Sequence, residues 1–326
     1  MTHSYLSEIS SWAAKRFGAR PAFVDPDGSI LTYEDLDLRS TKVAAAMNAR
    51  GVREGSVVGL TLGSYSQWVV AYVAASKLGA AIAAVNPRLT DFERSACLDK
   101  VDPALVIESV DDQERLVSEG SATSGFDPAA LDEARAAAIV FTSGTTGLPK
   151  GAVFTDRQLS AITRYDIGDA VGGDTPIAQY GSTQFAHVGF TTKLPWYLKL
   201  GTTTHLLERW KATDVLDLVE RERISTIGGV APQVALLLRD ANFDERDLSA
   251  VKLLVMGGAM SPPALVEEAR RRFGADYSIR WSSTESGGVG TSTAPGAPDS
   301  EALYTVGRPR PGMGLEIRDD EGNIVE

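Results

Sequence analysis

The chain has 326 residues, with 43 acidic against 32 basic side chains and a formal charge of −11. That balance argues against nucleic acid or an anionic membrane surface as a partner, because both are polyanions. The single cysteine, Cys97, excludes an internal disulfide, and with three scattered histidines it leaves no metal-ligand spacing, so the chain reads as cytoplasmic. The first ten residues show no signal-peptide pattern, and the most apolar window, Trp68 to Val85, is broken by Ser76, Lys77 and Gly79. It predicts a buried helix and then a strand, with no integral membrane segment. No serine carries the glycine spacing of a hydrolase nucleophile elbow.

In chain order, Ala22–Val24 and Ser29–Leu31 are predicted strands around the Asp27-Gly28 turn. Thr32 is placed to cap the next helix, with Gly51 closing it. A strand at Val57–Leu62, the helix through Trp68–Leu78, a strand at Ala80–Ala84, a helix from Thr90 and a strand at Ala104–Ile107 follow. Residues 119–128 are Ser/Gly/Ala-rich and read as a surface loop. After Ala136–Phe141, strands are predicted at Thr203–Leu207, Thr226–Gly229, Leu253–Met256 and Tyr277–Trp281. Helices are expected between them at Ala212–Arg223, Pro232–Asp240 and Pro262–Phe273, and a hairpin at Leu315–Val325. Apolar strands alternating with helices predict α/β architecture with parallel sheets covered on both faces.

The most informative stretch runs from Phe141 to Gly151, Phe-Thr-Ser-Gly-Thr-Thr-Gly-Leu-Pro-Lys-Gly. It follows an apolar strand and is expected to precede a helix, with Thr155 and Gln158 as a capping box. Gly144 and Gly147 let backbone amides turn toward an anion; Thr142, Ser143, Thr145 and Thr146 offer hydroxyls; Lys150 adds a mobile positive charge. Lys150 is followed by Gly151 and Ala152, so the Walker-type loop with its magnesium-binding hydroxyl is excluded. These positions resemble the phosphate-binding motif of the adenylate-forming superfamily, which includes acyl-CoA synthetases, luciferases and peptide-synthetase adenylation domains.

Further segments are similar to that family in the same order. Met256-Gly-Gly-Ala259 ends a strand, and paired glycines there let a flat ring approach the backbone. The resemblance places adenine beside Gly258 and Ala259. Trp281-Ser-Ser-Thr-Glu285 resembles the family's Tyr-Gly-x-Thr-Glu motif, with Trp281 in place of tyrosine and Ser282 in place of glycine. It implies that Trp281 stacks on adenine with Ser282 beside the nucleotide, that Thr284 touches the α-phosphate, and that Glu285 holds Mg²⁺. Phe185-Ala-His187-Val-Gly189-Phe190 implies an acyl pocket at His187 and Gly189, with Gly229 and Val230 adding an apolar wall. No acidic side chain lies near His187 in sequence, which disfavours an amino-acid substrate, whose ammonium needs a partner.

The resemblance implies two packed, mostly parallel β-sheet subdomains with flanking helices and the start of a third β subdomain, the C-terminal small domain being absent. The expected boundaries are 56–168 for the phosphate-loop subdomain, 15–55 plus 169–298 for the adenine and acyl subdomain, and 299–326 for the third. The implied reaction is ATP- and Mg²⁺-dependent conversion of a carboxylic acid, a fatty acid first, to acyl-AMP and then acyl-CoA with coenzyme A, with Lys150, Thr284 and Glu285 as catalytic residues. An aryl-acid–CoA ligase and an inert nucleotide- or acyl-binding module remain open beside it, and a homodimer is compatible with either. Beyond Glu285 there is no lysine and no Thr-Gly-Asp, so this stretch alone is expected to be nearly inactive.

Overall fold

The computed structural model describes residues 5–121, 126–127, 129–142 and 149–325. The chain divides into two compact units, Met1–Lys211 and Ala212–Glu326.

The first unit opens with helix α1 (Leu6–Phe17) and strands β1 (Pro21–Val24) and β2 (Ile30–Thr32). Helix α2 (Tyr33–Ala49) begins where the Thr32 side chain accepts the Asp35 N–H, as the sequence predicts. Then come β3 (Val57–Leu60), α3 (Ser66–Lys77), β4 (Ala81–Ala84), α4 (Asp91–Asp99), β5 (Leu105–Ile107) and α5 (Val110–Glu119). Helix α3 is apolar all round because it is buried all round: Trp68, Val69, Val70 and Tyr72 are each at most 1% exposed. The Lys77 ammonium at its end is satisfied by the Asp37 carboxylate and carbonyl and by the Thr41 hydroxyl, each at 2.8 Å.

Strand β6 (Ala136–Thr142) is followed by a second strand, β7 (Lys150–Thr155), and only then by helix α6 (Asp156–Ile167). The expected direct step from phosphate loop to helix is therefore corrected. Strands β6 and β7 pair as an antiparallel hairpin, with Thr142 opposite Lys150 and Phe141 opposite Gly151. The Thr155–Gln158 capping box starts α6 as predicted. At the open end of the hairpin, Arg135 and Asp156 form a buried ion pair at 3.5 Å. The sheet order β5-β3-β4-β6-β7 is parallel except for β7. Every residue of β4 is buried, as expected of a parallel sheet covered on both faces.

The first unit ends with β8 (Ile177–Tyr180), α7 (Val188–Thr191), α8 (Leu194–Leu200) and β9 (Thr202–His205). A second sheet, ordered β2-β1-β9-β8, links these strands to the N-terminal pair. Phe185 and Phe190 stack with ring centroids 3.5 Å apart, and Trp68 meets them edge-on at 5.6 and 5.8 Å.

The second unit contains α9 (Ala212–Arg221), β10 (Thr226–Gly229), α10 (Ala231–Leu238), β11 (Leu253–Gly257), α11 (Pro263–Phe273) and β12 (Asp276–Trp281). They are followed by β13 (Thr291–Ser292), α12 (Asp299–Ala302), β14 (Arg308–Pro309) and a hairpin of β15 (Ile317–Arg318) and β16 (Ile324–Val325). Strands β10, β11 and β12 are adjacent and parallel, and β13 and β14 add antiparallel rungs. Ile227, Val234, Leu254 and Val266 are fully buried between this sheet and its helices. The hairpin falls where the sequence places it.

Candidate functional site

The register of the second unit's sheet brings three predicted motifs to one edge. Gly229 pairs with Met256, and Met256 with Ile279, so β10, β11 and β12 end level with one another. Gly229-Val230, Gly258-Ala259 and Trp281-Ser282 leave that carboxyl edge side by side, the place where ligands bind in open α/β sheets. A cleft of ≈ 850 Å³ opens there, and Gly258, Ala259, Trp281 and Ser282 line it. Gly258 has φ +71°. A methyl group at Gly258 would lie 3.6 Å from Val230 Cγ1, so Val230 backs this turn. Gly229 and Val230 are not among the described residues lining the cleft. The Val230 N–H is already taken by Gln233 Oε1 at 2.9 Å, at the start of α10.

The far wall was not legible as a motif. It is made by the segment Leu303–Gly307, while Met260 follows Ala259 on the turn between β11 and α11. Thr291 Oγ1 donates to the Val306 carbonyl at 2.6 Å, Thr305 Oγ1 donates to the Glu301 carbonyl at 2.8 Å, and the Gly307 N–H donates to Thr305 Oγ1 at 3.0 Å. The segment is thus pinned at Thr305 and Val306. The cleft keeps large apolar side chains open to solvent, with Trp281 51%, Tyr304 71% and Met260 86% exposed. Apolar surface in a concave site with few polar groups suits a flat, largely apolar ligand.

Thr284 and Glu285 lie on the turn that follows β12. Ser283 and Ser286 lock that turn, each accepting the other's backbone N–H at 3.1 and 3.2 Å, and the Gly288 N–H closes back onto the Ser283 carbonyl at 3.1 Å. Glu285 is exposed. An exposed carboxylate on a fixed turn has the donor chemistry that a hard divalent cation requires. Among the described residues no group of three His, Cys, Asp or Glu side chains could hold a metal by itself, so a cation here would draw its remaining ligands from a bound molecule.

In the first unit, Thr142 and Lys150 form the last described pair of the hairpin, and Lys150 is exposed. Ser143, Gly144, Thr145, Thr146 and Gly147 lie outside the described residues. The segment expected to line an acyl pocket divides by role. Phe185 and Phe190, each 1% exposed, are core. His187 is exposed and caps α7, accepting the Gly189 N–H on Nδ1 at 3.1 Å. Desolvation of the ring holds its pKa below the usual histidine value. With Nδ1 accepting, the neutral ring carries its proton on Nε2 and keeps that donor available. Gly189 fits closely, since a methyl there would meet His187 Nδ1 at 3.3 Å and Thr183 Oγ1 at 3.4 Å.

Comparison with known proteins adds an independent line. The chain is 29% identical over 283 residues to 4-coumarate–CoA ligase 1 of Oryza sativa subsp. japonica, covering 74% of this chain and 50% of that one. It is 26% identical over 345 residues to the fatty acid–[acyl-carrier-protein] ligase ScoC of Streptomyces coeruleorubidus, covering 97% and 66%. The chain thus spans about half to two thirds of the length of these curated relatives. The fold matches the inhibitor-bound crystal structure of the N-terminal domain of FACL13 from Mycobacterium tuberculosis, with a TM-score of 0.88 at 22% identity, over 99% of this chain and 86% of that one. No described helix is long and apolar enough to cross a membrane. The AMP-binding enzyme family matches residues 10–326, and this chain belongs to it.

Proposed function

We propose that this chain binds ATP in the cleft at the end of β10–β12 and takes part in activating a carboxylic acid as its acyl-AMP, for transfer to a thiol such as coenzyme A. The observation that carries the reading is the convergence of Gly258, Ala259, Trp281 and Ser282 on one cleft. Gly258 and Ala259 present little side chain to a flat base, and Trp281 offers an exposed aromatic face for stacking. Glu285 would hold Mg²⁺, which supplies charge neutralisation at the phosphates. Thr284, beside it on the same turn, would donate its hydroxyl to the α-phosphate. In the first unit, Thr142 and the exposed Lys150 offer a hydroxyl and a positive charge of the kind that phosphate oxygens take, and donors of that kind act by positioning and by stabilising developing charge.

For the acid, we put a fatty acid first. The neighbourhood of His187 in sequence offers no carboxylate for a substrate ammonium, and the Nε2–H of His187 suits a carboxylate or carbonyl oxygen. An aryl acid is the second reading, favoured by the likeness to 4-coumarate–CoA ligase. The test is equilibrium binding to the chain of ATP–Mg²⁺, and then of a panel of fatty-acyl and aryl-acyl AMP analogues. Nucleotide binding that is weakened in Trp281→Ala supports the reading. No binding of ATP, AMP or an acyl-AMP analogue refutes it.

A further inference from the structure

The nucleotide cleft carries one side chain whose chemistry the adenylation reading leaves unused. Met260 is 86% exposed, whereas Met47 and Met256 are 0% and 1% exposed and Met313 is partly covered. Among the described residues it is therefore the methionine most open to a dissolved oxidant. It stands on the turn between β11 and α11, next to Ala259, and lines the same cleft as Trp281 and Tyr304. A thioether beside exposed aromatic surface is a soft, polarisable wall for a planar base. Conversion to the sulfoxide makes that wall polar, larger and chiral.

We propose that Met260 is a site of reversible sulfoxidation that lowers the affinity of the cleft for nucleotide. The proposal rests on the reading of the cleft as a nucleotide site. The oxidant is a hydroperoxide, hydrogen peroxide being the simplest. The Met260 sulfur gives an electron pair to one peroxide oxygen, the O–O bond breaks, an S–O bond forms, and the other oxygen leaves as water. Sulfur is oxidised by two electrons and the peroxide is reduced by two. A reductase acting on methionine sulfoxides reverses the change. A nucleotide seated in the cleft that Met260 lines would cover the thioether and so slow its oxidation. The buried Met47 and Met256 supply internal references within the same folded chain.

The experiment treats the folded chain with hydrogen peroxide, with and without ATP–Mg²⁺. Peptide mass mapping follows each methionine, and calorimetry follows ATP–Mg²⁺ affinity. Met260 is expected to oxidise well before Met47 and Met256, ATP–Mg²⁺ to slow it, and the oxidised protein to bind nucleotide roughly threefold to tenfold more weakly, the range of a lost sulfur–aromatic contact. In Met260→Leu, whatever its starting affinity, peroxide should leave that affinity where it was. Met260→Gln, polar and of similar length, should bind more weakly than Met260→Leu without peroxide. Oxidation of Met260 no faster than of the buried methionines overturns the proposal, as does full oxidation with unchanged affinity or an equal peroxide effect in Met260→Leu. If untreated protein binds no nucleotide, the nucleotide reading fails and takes the proposal with it; binding without a peroxide effect removes the proposal alone.

Discussion

Gly307 is the residue on which the far wall of the cleft depends, and Gly307→Ala tests that dependence. Its φ is +75°, and a methyl group there would sit 2.0 Å from both the carbonyl carbon and the oxygen of Ser292 and 2.2 Å from the Thr293 nitrogen. All three are backbone atoms at the end of β13, which pairs with β14 immediately after Gly307. Gly258 is a built-in control: its φ of +71° is nearly the same, yet its added methyl would meet only Val230 Cγ1, at 3.6 Å. Both substitutions carry the left-handed backbone cost, about 1–2 kcal/mol. Only Gly307→Ala adds a collision that a backbone must absorb, about 1–3 kcal/mol more by analogy with overpacked cores. Gly258→Ala is therefore expected to cost about 1–2 kcal/mol and Gly307→Ala about 2–5 kcal/mol. Amide hydrogen exchange over β12–β14 reads this locally, without assuming that the two units unfold together. Gly307→Ala should also weaken nucleotide binding, because the displaced segment carries Tyr304 and Val306. Equal protection in the two variants would refute the argument.

Trp281→Ala should weaken nucleotide binding by about 1–3 kcal/mol, the usual worth of one base–aromatic stack, while thermal stability barely moves because the side chain is half exposed; unchanged affinity by calorimetry counts against stacking. Glu285→Gln should leave stability within about 0.5 kcal/mol but remove the strengthening of ATP binding by Mg²⁺, read by titrating the nucleotide with and without the metal. Asp156 gives a pH signature: burial, only partly opposed by the Arg135 guanidinium, raises its carboxyl from 3.8 to about 6. The folded chain then holds this proton more tightly than the unfolded chain, so stability falls as pH rises from about 4 to about 6, by at most about 3 kcal/mol. Asp156→Asn should flatten that part of the profile in urea unfolding, and an unchanged profile would show that Asp156 is not the titrating group.

Local chemistry made much of this fold legible. Thr32, Thr90 and Thr155 each cap the helix that the sequence assigned to them, because a side chain accepting an N–H two or three residues on needs no distant partner. The strands at Leu253 and Tyr277 announced themselves as apolar runs ending in glycine or serine. Strand β7 did not, because its Lys-Gly-Ala-Val-Phe-Thr sequence is held by pairing with β6 and is mostly exposed. Helix α1 was missed because its apolar face, Leu6, Ile9, Ala13 and Phe17, is spaced through a polar stretch that drew attention only for lacking a signal peptide. The segment around His187 and Gly189 was expected at an acyl pocket, and its flanking Phe185 and Phe190 are core, packed against Trp68 more than a hundred residues earlier. The far wall of the cleft is invisible for the same reason: its position is set by the Thr291–Val306 bond and by the fit of Gly307.

The two departures in the Trp281-Ser282 motif bear on what the cleft can accept. A methyl group at Gly290 would lie 2.1 Å from the Trp281 carbonyl oxygen and 3.3 Å from Ser282 Cα. The backbone at Gly290 therefore presses against the strand end from behind, with no room for a side chain on that side. Ser282 is exposed and lines the cleft, so the serine in the place of the family's glycine adds its hydroxyl to a cleft whose nearby Ser261 is already bonded to Tyr277 at 3.1 Å. Trp281 enlarges the stacking face as it removes a phenolic hydroxyl. The pair of changes exchanges a phenolic hydroxyl for an indole N–H on the ring and adds a hydroxyl on the adjacent short side chain, leaving a flat apolar face with polar atoms at its edge. A purine presents the same division, an apolar face and a hydrogen-bonding rim, so the altered motif remains matched to the ligand class assigned to this cleft.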